Sequence, residues 1–149
     1  MQDNPNKLLG LLPKTSISDI VKCSLETIDV RDEDWLSCGA LLQDNIVLLK
    51  TFIGLYILGS SFGFYVGSAT QLSPKAGLYT RLHMYLSKEQ SGNKYGIGRI
   101  IRKHRNDNWR LWVLAFKADE ANKSRVLKLE HDYISRLKSA GVVLLNKRI

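Results

Sequence analysis

Glu130 stands on the apolar side of its helix. The pattern predicts a long last helix that starts at Asp119 or Asn122 and ends at Gly141, a natural C′ residue. At about 100° per residue, Val126, Tyr133, Ile134 and Leu137 share one sector, with Leu129 at its edge and Glu130 near its middle. A carboxylate on an apolar stripe is costly unless it is paired or holds a metal. Either a neighbouring Lys or Arg neutralises it, or it is kept for a cation. Arg81 raises a similar question on an earlier helix, whose inner face is marked by Leu78, Leu82 and Tyr85 with Leu86 beside them. Arg81 lies one turn before Tyr85, at the edge of that face. It either snorkels to solvent or points across a sheet, where its fork suits a phosphate. Two more tyrosines sit upstream in Gly/Tyr patterns: Gly54-Leu55-Tyr56 and Tyr65-Val66-Gly67.

These residue types match one reaction. Hydrolysis of a phosphodiester needs a base for water, a cation for the pentavalent charge and an anion to hold a divalent metal. No second carboxylate converges with Glu130, so a one-metal site is expected rather than a two-metal one. One Mg²⁺ (or Mn²⁺) on one carboxylate, completed by water and phosphate oxygens, agrees with how magnesium binds.

The elements that must position these groups follow from the pattern. Between Lys50 and Lys75 there is no charged side chain. The window is long enough for a membrane helix, but Gly54, Gly59, Gly63 and Gly67 interrupt it, with Ser60 and Ser61 in the middle. It reads instead as a hairpin, Phe52 to Ile57 and Phe62 to Val66, with its loop near Gly59 to Gly63. Both faces are apolar, so the hairpin belongs at the centre of a helix-covered sheet. Ile46 to Leu49 reads as a strand leading into it, and Ser18 to Ile28 as a helix. Ser73-Pro74 supplies an N-cap and first-turn proline for a helix running to about Leu86. A loop, Glu89 to Asn93, precedes a second helix, about 96 to 105, with Ile97, Ile100 and Ile101 inward. Trp109 to Phe116 is a strand, on which Trp109 and Trp112 have opposite parity, so at least one is core. Val142 to Leu145 is a short final strand. The fold class is α+β: a small central β-sheet starting with a β-hairpin and flanked by helices. Residues 51–149 form the domain and residues 1–50 an acidic N-terminal extension.

Charge and composition narrow the partners. The 149 residues are 44% hydrophobic and 24% charged, which suits one globular domain. Residues 1–50 carry five basic and eight acidic side chains, a net of −3, and residues 51–149 carry seventeen and six, a net of +11. A field of that sign favours polyanions, nucleic acid above all; its bland alternative is solubility. Cys23 and Cys38 form no metal spacing with a histidine and read as reduced thiols in an intracellular compartment. No secretory leader opens the chain, and no membrane partner is expected. Asp32 to Asp34 reads as a solvated cluster, and His83, His104 and His131 as surface residues.

Taken together, these motifs resemble the GIY-YIG nuclease family, over roughly Phe52 to Asn146. Gly54-Leu55-Tyr56 stands at the first triplet, with Leu for Ile. Tyr65-Val66-Gly67 stands at the second, with Val for Ile, and Ser68 follows. Arg81 in "LYTRLHMYL" matches the family's helix arginine. Four residues on, where histidine is frequent, stands Tyr85, as in repair-type members. "LEHDYISRL" places the metal-binding glutamate at Glu130, and "LLNKR" places the closing asparagine at Asn146. The resemblance implies a metal-dependent DNA endonuclease, of homing-endonuclease or repair type. Tyr56 is then the candidate base, Tyr65 positions phosphate or water, and Arg81 stabilises charge on the phosphoryl oxygens. Glu130 holds the metal, Asn146 supports the site by hydrogen bonding, and Tyr85 stands where the histidine is frequent, which leaves the proton-relay role open. Gly54 and Gly67 allow close packing. Arg99, Arg102, Lys103, Arg105 and Arg110 are candidate phosphate contacts, which position DNA without reading its sequence; their bland alternative is a solvated face. No recognition domain follows Asn146, so specificity is expected from the catalytic domain, a partner or dimer, or a part outside this chain. The competing readings are a catalytically silent nucleic-acid-binding module of the same fold, and an interaction protein docking through residues 1–50.

Overall fold

A computed structural model describes residues 14–15, 35–72, 77–86 and 96–146. The expected helix from Ser18 to Ile28, Cys23, the acidic cluster from Asp32 to Asp34, the Ser73-Pro74 cap and the loop from Glu89 to Asn93 lie outside these residues.

The architecture is α+β, as the pattern predicts. Five strands, β1 (Lys14–Thr15), β2 (Trp35–Ala40), β3 (Phe52–Ser60), β4 (Gly63–Ala69) and β5 (Arg110–Lys117), form one antiparallel sheet in the order β1-β2-β5-β3-β4. The helices are α1 (Gln43–Ile46), α2 (Leu78–Leu86), α3 (Gly96–Lys103) and α4 (Glu120–Ser139). No helix among the described residues is long and apolar enough to cross a membrane.

The hairpin lies where its two apolar faces require. β3 is paired on both sides, to β4 and to β5, and each parity of its side chains enters a different core. Phe52, Tyr56 and Leu58 pack with Leu78, Leu82 and Tyr85 of α2 and with Ile97 and Ile101 of α3. Ile53, Leu55 and Ile57 pack with Val126, Tyr133 and Leu137 of α4. Three layers result: α2 and α3, the sheet, then α4. Trp109 and Trp112 divide between the two cores, as their parity demands. In α4, the Asp119 side chain caps the Asn122 backbone N–H at 2.8 Å, and Gly141 ends the helix with φ 83°.

Three expectations need correction. Ile46 to Leu49 is not a strand: it spans the end of α1 and a 3₁₀ turn, Val47–Leu49. A short apolar run does not reveal its period, and here the Asn45 amide bonds the Ala40 carbonyl at 2.7 Å, turning the chain into a helix before it can extend. Val142 to Leu145 makes only an isolated parallel bridge, Phe64 to Leu144. Finally, the boundary at residue 51 does not separate the extension from the domain. β2 pairs with β5, Trp35 lies edge-on to Tyr133 with ring centroids 5.2 Å apart, and Trp35, Ile46 and Leu49 are fully buried. The acidic count of residues 1–50 hid this, because charge reports on the solvated face and not on which strand closes a sheet.

Candidate active site

Alternation along β3 and β4 brings the candidates to one face. Tyr56 lies across from Gly67, and Leu58 across from Tyr65. A Cβ at Gly67 would overlap the Tyr56 ring and hydroxyl, so only glycine leaves room for that tyrosine in the sheet. The Tyr56 ring is 1% exposed. Its hydroxyl lies 2.6 Å from that of Tyr85, reached from α2 above the sheet. The Tyr65 and Tyr85 rings both stand 6.1 Å from the Tyr56 ring. Arg81 is exposed, one helical turn before Tyr85, and its charge reaches all three phenols.

Burial dominates the electrostatics. It pushes the Tyr56 phenol well above its usual range, and the neighbouring phenols Tyr85 and Tyr65 add to the rise. It pushes Tyr65 up to about 12, with the charges of Tyr85 and Glu130 adding to it. Tyr85 is also raised, again by burial. The Arg81 guanidinium opposes the rise in each case without overcoming it. All three phenols are therefore neutral at pH 7. A linkage consequence follows: a buried acid whose folded value lies above its unfolded value of about 10 binds its proton more tightly when folded. Stability is then retained below about pH 10 and lost as pH rises from there toward 12. We expect urea midpoints to fall between about pH 10 and pH 12, and Tyr65→Phe to flatten that fall. An unchanged slope in the variant would show that Tyr65 is not held neutral by burial.

Glu130 approaches from the other layer. α4 packs on β3 and β4, and of the three phenols it is Tyr65, on the edge strand, that feels the Glu130 charge. The carboxylate is half-buried, and no cation among the described residues pairs with it. No group of three His, Cys, Asp or Glu side chains gathers among the described residues. The described residues offer a cation one carboxylate here, so water and phosphate oxygens would have to fill its other positions.

Asn146 reaches the site through the backbone. Its side-chain oxygen accepts from the Val66 N–H at 3.1 Å and its amide donates to the Val66 carbonyl at 2.8 Å. A side chain here continues the edge pairing that Phe64 begins with Val143 and Leu145. It holds the β4 segment between Tyr65 and Gly67.

The candidate phosphate contacts sit on other elements than the three phenols and Arg81. Arg99, Arg102 and Lys103 are exposed on α3, Arg105 in the turn after it, and Arg110 at the start of β5. His83 is exposed and bonds Gln43 at 2.9 Å. Sequence reading missed Thr70, Gln71 and Thr80, which with Arg81 line a pocket of about 250 Å³. Thr80 is the neighbour of Arg81 on α2, but nothing in the spacing marks Thr70 and Gln71, which only the seating of α2 on the end of β4 brings to Arg81.

The chain matches no protein-family model, no curated protein and no solved structure.

Proposed function

We propose that the chain hydrolyses phosphodiester bonds in DNA with the help of a divalent metal, Mg²⁺ or Mn²⁺. The observation that carries this reading is the meeting of three phenols under the charge of one guanidinium, with the Tyr56 and Tyr85 hydroxyls at 2.6 Å. Arg81 binds the phosphate and stabilises its developing charge. Tyr65, the most exposed of the three phenols, orients water or phosphate. Tyr56 and Tyr85 form the proton relay. Burial keeps the phenolate scarce at neutral pH, so removal of the water proton accompanies attack: one phenol oxygen takes that proton as its hydroxyl passes its own through the second phenol to solvent. Glu130 is the residue to hold the metal, which when bound supplies Lewis-acid stabilisation of the leaving oxygen. Asn146 keeps Tyr65 and Gly67 in register.

The test is nicking of supercoiled and branched DNA with Mg²⁺ or Mn²⁺. Metal-dependent nicking supports the enzyme; binding without nicking on any substrate supports the silent module instead. The basic face gives a second readout. If Arg102 and Lys103 neutralise phosphates, log affinity falls linearly with log salt, and Arg102→Gln with Lys103→Gln lowers the slope by about 2. A slope that both substitutions leave unchanged would remove these side chains from the interface.

A further inference from the structure

Phe62 is a large apolar side chain at the tip of the β3–β4 hairpin, with 42% of its surface exposed. Turn tips ordinarily carry small or polar residues, and no core contact accounts for a ring here. Yet it is held in place. Its N–H donates to the Ser60 hydroxyl at 3.2 Å, and its ring leans on the His104 imidazole, with centroids 3.9 Å apart and planes at 44°. His104 is fixed in turn: its Nδ1 lies 3.7 Å from the Asp107 carboxylate, and its carbonyl accepts from the Trp109 indole at 2.9 Å. Cations surround this pair. Arg102 and Lys103 end α3 just before His104, and Arg105 follows it, all exposed. Arg110 lies across from Gly59, next to the same hairpin tip. Tyr65 lies three residues beyond Phe62, across the end of the turn and the start of β4, at most about 10 Å of chain.

We propose that Phe62, backed by His104, is a stacking platform for one unpaired base of a DNA strand whose phosphate is bound near Tyr65 and Arg81. This rests on the nuclease reading above and adds a substrate class to it: DNA with an unpaired base, in a single-stranded flap, bulge or junction. An aromatic ring among cations is the arrangement that binds single strands without sequence preference, since every base has a π-face. Bases inside a duplex are already stacked and gain nothing from the ring. The span from Phe62 to Tyr65 is at most about three steps of a stacked strand, so the platform engages a base close to the reacting phosphate.

The experiment is a fluorescence titration in EDTA of a short single strand and of the matching duplex. It compares the parent with Phe62→Ala, Phe62→Leu and Phe62→Trp. Alanine and leucine are expected to weaken single-strand binding about tenfold, tryptophan to preserve it, and duplex affinity to change less than about twofold. The salt slope stays that of the parent, because stacking releases no counterions. Unchanged single-strand affinity in Phe62→Ala overturns the platform, as does an equal loss on duplex. The titration does not depend on cleavage, so the two readings separate. Unchanged affinity in a protein that still nicks removes the platform alone. A tenfold loss in a protein that never nicks removes the nuclease alone.

Discussion

Glu130→Gln is expected to lower metal-dependent nicking about a thousandfold while leaving the fold and DNA affinity nearly unchanged. The substitution keeps the shape of the side chain and removes only its charge. If the carboxylate holds the metal, the loss is that of a Lewis acid at the leaving oxygen, several kcal/mol, and about 4 kcal/mol corresponds to a thousandfold in rate. Stability should not fall, because Glu130 is half-buried and has no ion pair among the described residues to lose. Binding should hold within a few-fold, because Glu130 supplies no positive charge, and the candidate phosphate contacts sit on α3, in the turn after it and at the start of β5. Urea unfolding, EDTA binding and nicking on one preparation separate the three effects. Nicking that survives the substitution would mean that Glu130 does not carry the metal, and that the proposed mechanism is wrong at its centre.

Alanine at Gly54 or Gly67 is expected to destabilise the sheet strongly, and only one of the two should be rescuable. At Gly67 the added Cβ meets the Tyr56 ring, which is buried and tied to Tyr85. Overpacking of that kind costs about 1–3 kcal/mol. For a chain of this size the melting temperature then falls by several degrees, at about 2–4 °C per kcal/mol. At Gly54 the Cβ runs into the backbone carbonyl of Leu114 on the neighbouring strand. No side chain can move aside there, so β3 and β5 must part, and a loss above about 3 kcal/mol is expected. Trimming the ring distinguishes the cases. Tyr56→Val should recover more than about 1 kcal/mol of the Gly67→Ala loss, a coupling expected of residues in contact, and none of the Gly54→Ala loss. Additive effects of Gly67→Ala and Tyr56→Val would contradict the packing of this tyrosine against the edge strand.

The sequence by itself determined the hairpin, the two amphipathic faces behind it, and the last helix with its Gly141 stop, while the fold chose Asp119 over Asn122 as its cap. Each of these is a local signal. Uncharged β-branched and aromatic runs broken by glycine mark strands and a turn. A period near 3.6 marks a helix, and a capping side chain or a left-handed glycine marks its end. The residue types of the candidate site were legible for a related reason: a carboxylate or a guanidinium on an apolar face breaks a pattern that is otherwise regular. The tertiary structure decided what depends on partners remote in sequence. It put residues 35–40 into the sheet, because a strand is completed by the neighbour it bonds and β2 finds β5 more than seventy residues later. It turned Ile46 to Leu49 into helix, since a four-residue apolar run is buried equally well either way. It reduced a final strand to one parallel bridge at Leu144, continued by the Asn146 amide on the Val66 backbone. It also decided the ionisation of the phenols. The Arg81 charge acts to lower them. In the fold, desolvation outweighs that single exposed charge, and no sequence window reports how deeply a side chain is buried.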